Sequence, residues 1–293
     1  MIKGIFPPIP TPFVDNKISI EKLKFNIQKW NSTSLSGYVV MGSNGESVYL
    51  TKKEKIDLVK NTKLFSERNK LVIAGTGSDS ILDTLELTNA SAENGADFAL
   101  VLTPSFYQSK MNHDALIKYF SEVADKSNIP VIIYNVPKFT NVNIAPETVA
   151  ELSKHENIVG IKNSSENIAH LHEIINSVPD DFSVLVGTAS IIFAGLCVGA
   201  HGGIVALANV APEQCVKIYD DYLRGDLLSA KSLQALMLEP NKAVTALFAV
   251  PGLKSAMDAL GYYGGQPRSP LSEITIDQKN KLIEILKKAL ILK

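Results

Sequence analysis

Arginine is nearly absent from this chain of 293 residues: among 29 basic residues only Arg68, Arg224 and Arg268 are arginines. Few groups are therefore available to grip a carboxylate in bidentate fashion. Surplus charge of either sign is missing as well. A net charge of -1 and a pI near 6.5 give no electrostatic footprint for nucleic acid or an anionic membrane, which argues for a small-molecule partner. Two cysteines, Cys197 and Cys215, are too few for a disulfide framework or a zinc site. Both sit in apolar stretches and are expected to be buried thiols in a reducing cytoplasm. The five histidines form no metal pattern: His170 and His172 lie two apart on an expected helix and face different ways. No metal and no cofactor is expected. The N-terminus lacks a basic segment followed by an apolar core, and no run reaches the roughly 18 apolar residues of a membrane span. A cytoplasmic protein is the expectation. The Gly-x-Gly-x-x-Gly fingerprint of a dinucleotide site is also missing, since the first expected strand runs into Pro10-Thr-Pro-Phe13.

What is present is a hydrophobic fraction of 45%, enough for a large core. Short apolar runs alternate with amphipathic segments, as in a parallel sheet. Eight strands are expected over 4–9, 37–41, 71–75, 98–102, 130–135, 158–162, 183–187 and 202–206, roughly 25 to 35 residues apart as βα units require. The pattern predicts an α/β fold, a (β/α)8 TIM barrel; the runner-up is an open doubly wound sheet. Helix starts fit the gaps. Thr51-Lys-Lys-Glu54 is a capping box opening a helix to Phe65, and helices are expected over 112–127 and 146–155. Residues 1–225 are read as the barrel. Residues 226–293 are read as a C-terminal helical extension packed on it, with helices over 243–260 and 276–292.

Reactive residues gather where such a barrel builds its site, at the carboxyl ends of the strands. Lys162 closes the apolar run Asn157-Ile-Val-Gly-Ile-Lys162. An ammonium in apolar surroundings loses hydration, and the neutral amine it then releases is a nucleophile toward carbonyl carbon. The blander reading is a strand-end lysine whose head reaches solvent. Tyr134 ends the strand before it, where a phenol could shuttle protons or simply bond a carbonyl in the core. Gly42-Ser43-Asn44-Gly45 can form a tight turn whose backbone N–H groups point outward, suited to a carboxylate, or be an ordinary loop. Glu46 is expected to bond backbone within that turn.

Taken together, Gly42-x-x-Gly-Glu46, Tyr134-Asn-Val-Pro137 and Gly160-Ile-Lys162 resemble the dihydrodipicolinate synthase/N-acetylneuraminate lyase family of Schiff-base (β/α)8 enzymes, over nearly the whole chain. The resemblance implies a metal-independent class I lyase that acts on a pyruvate unit through a covalent imine at Lys162. It implies Tyr134 as proton carrier, backbone amides around Ser43 and Asn44 holding the 2-oxo acid carboxylate, and a relay completed by Ser43 and by Tyr107 from a neighbouring subunit. It also implies a homotetramer, a dimer of dimers. Gly42, Ser164, Gly187 and Val205 are added as substrate-binding positions.

Segments outside the site, among them Tyr107-Gln-Ser-Lys-Met111 and Ala206-Leu-Ala-Asn-Val210, are most similar to 4-hydroxy-2-oxoglutarate and 2-keto-3-deoxy acid aldolases. Dihydrodipicolinate synthases carry an arginine two residues beyond the Tyr-Asn-x-Pro proline, where this chain has Phe139. The leading expectation is therefore cleavage or formation of the C3–C4 bond of a 4-hydroxy-2-oxo acid, with Ser164 or Ser165 near its distal hydroxyls. The alternatives are a dihydrodipicolinate synthase condensing pyruvate with aspartate semialdehyde, a 2-keto-3-deoxy acid dehydratase, or a catalytically silent sugar-acid-binding homologue.

Overall fold

The computed structural model describes all 293 residues. Eight parallel strands, Gly4–Phe6, Gly37–Val40, Leu71–Gly75, Phe98–Leu102, Val131–Asn135, Ile158–Asn163, Ser183–Val186 and Gly202–Ile204, pair in the spatial order first, eighth, seventh and so on down to the second. The first strand is shorter than expected because Pro7 and Pro8 have no N–H for the ladder. Closure is made just beyond it: Pro8 bridges Val39 in parallel, and the Ile9 N–H donates to the Val39 carbonyl at 2.9 Å. The result is a (β/α)8 TIM barrel with helices outside it and further helices at the C-terminal end. No helix is long and apolar enough to cross a membrane.

Side chains alternate across each strand, and the two faces make two cores. The inner one joins Phe6, Val39, Ile73, Leu100, Ile132, Tyr134, Leu185 and Ile204. The outer one, between sheet and helices, is a cluster of 61 buried residues. At the sixth strand the alternation breaks. Val131 pairs with Ile158, but Ile132 pairs with Gly160, so one extra residue is accommodated on the sixth strand. Ile158 and Ile161, three apart, consequently both face the outer core, and Val159 touches the inner one. Strict period-2 alternation from Ile158 would have turned Lys162 outward; the bulge puts it on the barrel side with Tyr134, its register partner.

Helix starts follow the expected chemistry. Thr51 and Glu54 form a reciprocal capping box on Lys52–Phe65, and Asn112 caps His113–Lys126. The helix expected over 146–155 ends at Leu152. The one expected over 243–260 divides into a wide turn, Ala243–Leu247, and a helix, Ala249–Ala259. Pro251 explains the division, because its ring would meet the carbonyl four residues back and it has no N–H to give. The Phe248 N–H bonds the Ala243 carbonyl instead, and Ala249 takes a left-handed φ of 49°. Of the cysteines, Cys215 is buried and Cys197 is exposed, because the short helix Ile192–Cys197 ends at the surface. The expectation of two buried thiols is corrected accordingly.

Candidate active site

Lys162 is 3% exposed, and its Nζ lies 4.1 Å from the centroid of the Tyr134 ring. It forms no ion pair. Burial drives the Tyr134 phenol toward its neutral form, but the Lys162 charge and the surrounding Ser43 and Ser164 hydroxyls act the other way and outweigh it. The net effect is a phenol that ionises more easily than an ordinary tyrosine. The fold thus brings an amine, a phenol and two hydroxyls, from the ends of the second, fifth and sixth strands, to one point.

Ser43 and Asn44 begin a 3₁₀ turn, Ser43–Gly45, directly after the second strand. Within it the Gly45 N–H is bonded to the Gly42 carbonyl and the Glu46 N–H to Ser43. The first N–H groups of such a turn have no partner inside it, so those of Ser43 and Asn44 are left to receive an anion. The Asn44 side-chain amide is a further donor without a partner. Gly42 itself is not demanded by space, since a Cβ there would meet only ordinary contacts.

Glu46 departs from expectation. It takes a left-handed φ of 56° and turns its carboxylate into the protein, where Oε1 lies 2.6 Å from Lys254 Nζ. Oε2 accepts from the Arg268 N–H at 2.7 Å. Lys254 is fully buried, donates to the Gln266 carbonyl at 2.9 Å and sits 4.6 Å over the Phe13 ring. Burial pushes the Lys254 pKa down while Glu46 opposes it. The loop bearing Ser43 and Asn44 is therefore pinned from the C-terminal helices. Sequence reasoning missed this pair; Lys254 between Leu253 and Ser255 in an apolar helix was the available signal.

Gly187 follows the seventh strand, and its missing side chain is required. A Cβ there would lie 1.9 Å from Ser164 Oγ, so glycine is what lets Ser164 approach Tyr134. Val205 is not brought to this group. It is fully buried in the outer core, and the inward residue on the eighth strand is Ile204, which alternation over Gly202–Ile204 would have identified. Tyr107 is 71% exposed, edge-on to Phe106 at 5.0 Å, and is not among the groups that face Tyr134 within one chain. His170 is buried and His172 exposed on the helix Ile168–Ser177, opposite faces as expected.

None of the three arginines reaches the site. Arg224 pairs with Asp221, Arg268 with Glu54, and exposed Arg68 precedes the amino end of the third strand, on the opposite rim. Phe139 stands 60% exposed on the short helix Pro137–Thr140. Next to it Lys138 is exposed, with Nζ 3.4 Å from the Thr245 carbonyl.

Over residues 1–289 the chain matches the sequence profile described as "Dihydrodipicolinate synthetase family". A 4-hydroxy-tetrahydrodipicolinate synthase of Methanoculleus marisnigri is 37% identical, the alignment covering 98% of this chain and 99% of that one. The enzyme of the same name from Methanothrix thermoacetophila is 35% identical over 98% and 97%. Among solved structures, dihydrodipicolinate synthase from Aquifex aeolicus superposes with a TM-score of 0.93 at 31% identity, covering 99% of each chain. YagE, a prophage protein of the same family from E. coli K12 solved with pyruvate, gives 0.94 at 27% identity, also over 99% of each. These similarities favour the synthase alternative over the 4-hydroxy-2-oxoglutarate aldolase that local motifs had put first.

Proposed function

The chain belongs to the dihydrodipicolinate synthetase family, whose members are lysine Schiff-base lyases, and from that premise we propose that it condenses pyruvate with aspartate semialdehyde, as a 4-hydroxy-tetrahydrodipicolinate synthase does. One observation carries the pyruvate half of this reading: a buried amine without a counter-ion, held over a phenol whose ionisation it eases. The Lys162 amine attacks C2 of pyruvate and water leaves, giving an iminium. Its positive nitrogen draws electrons from C3, a C3 proton departs, and the enamine carbon attacks the aldehyde of the second substrate. Tyr134 takes and returns protons at the C2 and aldehyde oxygens, steered by Ser43 and Ser164. The free N–H groups of Ser43 and Asn44 hold the pyruvate carboxylate. No metal or cofactor enters these steps.

Tyr107, exposed in one chain, serves the relay of a neighbouring subunit in a homotetramer. The second carboxylate presents the specific departure, because Phe139 replaces the expected arginine and the three arginines are elsewhere. Lys138 is the cation left to meet it.

Two measurements test the reading. Borohydride reduction in the presence of pyruvate, followed by peptide mapping, should place the adduct on Lys162; no adduct there would sink every Schiff-base version. Consumption of aspartate semialdehyde with pyruvate is then compared with pyruvate release from 2-keto-3-deoxy sugar acids. Release without condensation would replace the synthase by an aldolase, the reading that Phe139 favours.

A further inference from the structure

On the outer face of the fifth and sixth strands, directly behind Tyr134 and Lys162, a chain of buried amides ends on a histidine. Asn135 and Asn163 are register partners and both are fully buried; His170, from the helix outside them, is 8% exposed. Asn135 Nδ2 donates to Asn163 Oδ1 at 3.0 Å and to Asn143 Oδ1 at 2.8 Å, while Asn135 Oδ1 accepts from the Ile144 N–H at 3.1 Å. Asn163 Oδ1 also accepts from the Ser165 N–H at 3.0 Å. His170 Nε2 is 2.9 Å from the Ile144 carbonyl, and His170 Nδ1 is 3.3 Å from Asn163 Nδ2.

These contacts have one consistent assignment. A carbonyl only accepts, so Nε2 carries the proton and donates to Ile144; the neutral ring then leaves Nδ1 as acceptor for the Asn163 amide. The Asn163 amide is thereby fixed with its oxygen toward Asn135 and Ser165. The backbone of the same residues reaches the reactive group: the Ser164 N–H donates to the Asn135 carbonyl, and the Gly187 N–H to the Asn163 carbonyl, each at 2.8 Å. Ser164 in turn faces the Tyr134 hydroxyl.

The location is informative. The layer between sheet and helices is mostly apolar, with hydroxyl pairs such as Thr76–Thr88 and Thr84–Tyr119 elsewhere, and the amide–histidine network lies where the amine-bearing and phenol-bearing strands end. Apolar residues of similar volume can often replace buried polar networks without loss of stability, so stability alone does not call for it here. Successive side chains on a strand point to opposite faces, so clamping residues 135 and 163 from behind sets where residues 134 and 162 point in front.

We propose that Asn163 and His170 are positioning residues, which touch no substrate and hold Lys162, Tyr134 and Ser164 at the separation imine formation needs. The proposal rests on the Schiff-base reading above. Small misplacements of reacting groups cost rate rather than binding.

The test is the rate of borohydride trapping of pyruvate on the full chain, for the parent and for His170→Leu, Asn163→Leu and His170→Gln, each first shown folded by near-ultraviolet circular dichroism. Both leucine variants should lower the limiting trapping rate by about 10²-fold, while the half-saturating pyruvate concentration stays within about threefold of the parent's. His170→Gln should recover most of the rate, since its carbonyl can accept from Asn163 and its amide can donate to Ile144. Folded His170→Leu trapping at the parent rate would overturn the proposal, and so would a glutamine variant as slow as the leucine one. Should Asn163→Leu not fold, the two His170 variants decide. Absence of trapping in the parent would instead reject the Schiff-base reading. Carbamylation of Lys162 by cyanate, which needs no substrate, then reads the positioning: equal rates in parent and His170→Leu would overturn it.

Discussion

Three lysines are buried in this protein, and two of them, each over an aromatic ring, have surroundings that differ in one respect. Lys254 is fully buried, sits over Phe13 and has a carboxylate at 2.6 Å and a carbonyl at 2.9 Å. Lys162 is 3% exposed, sits over Tyr134 and has no carboxylate partner. Aromatic contact and burial are common to both, so neither marks a reactive amine. The polar partners do: Lys254 has a carboxylate and a carbonyl, and Lys70, buried as well, has two carbonyls, while Lys162 has neither. A carboxylate and a carbonyl occupy the Lys254 ammonium, whereas Lys162 faces only a ring and hydroxyls, which leave its nitrogen free to meet a carbonyl carbon.

Exchange of each lysine for methionine tests that contrast most strongly. Lys162→Met should lose pyruvate trapping and turnover by on the order of 10⁴-fold or more, because no other amine occupies the position. Its urea midpoint should not fall, since an uncompensated buried charge has been replaced by an apolar chain of similar length. A large fall would erase the distinction. Lys254→Met should do the reverse and cost about 3–5 kcal/mol of stability by stranding the Glu46 carboxylate. Adding Glu46→Gln should return part of that loss in urea titrations, and failure to do so would mean that the pair is not the source.

A smaller effect sharpens the electrostatics on the Lys162 side. Burial raises the Tyr134 pKa, and the Lys162 charge is the first of the groups that bring it below the ordinary phenol value. In Lys162→Met the burial is left less opposed, so Tyr134 should ionise at higher pH than in the parent. Phenolate absorbance, with Tyr134→Phe as the blank, reads the shift, and an unchanged titration would contradict the coupling.

The smallest effect lies on the Lys254 side, where Arg268 joins the same loop to the helix Lys52–Phe65. Its hydrogen bonds lower the Glu54 pKa from 4.5 to about 2. The folded pKa is depressed, so the stabilisation is fully present above the unfolded value near 4.5 and is lost as pH falls toward 2. Denaturant midpoints followed across that window should drop less steeply in Glu54→Gln than in the parent. An identical slope would remove this contact from the C-terminal anchorage.

Much of the fold was legible because it rests on local signals. Five-residue apolar runs such as 71–75 and 98–102 coincide with their strands, and the Thr51/Glu54 box and the Asn112 cap start their helices as read. At the rim, the Ser43 turn, Tyr134 and Lys162 were found from residue type and position, and the structure brings all three together with Ser164. What escaped depends on contacts across the chain or on exact register. Val205 was chosen one residue past the inward Ile204, and the partners of Glu46 lie more than two hundred residues away in sequence.

The sequence by itself determined a barrel of eight βα units, a lysine at the end of the sixth strand and a phenol beside it, because hydrophobic period, caps and turn residues act within a few positions of one another. Only the tertiary structure decided which way that lysine faces. The extra residue between Ile158 and Gly160, accommodated against the fifth strand, turns Lys162 from the helix layer into the barrel. Only the tertiary structure, too, separated Lys162 from Lys254, because a counter-ion is a neighbour in space. Its absence at Lys162 cannot be read until the chain has closed on itself.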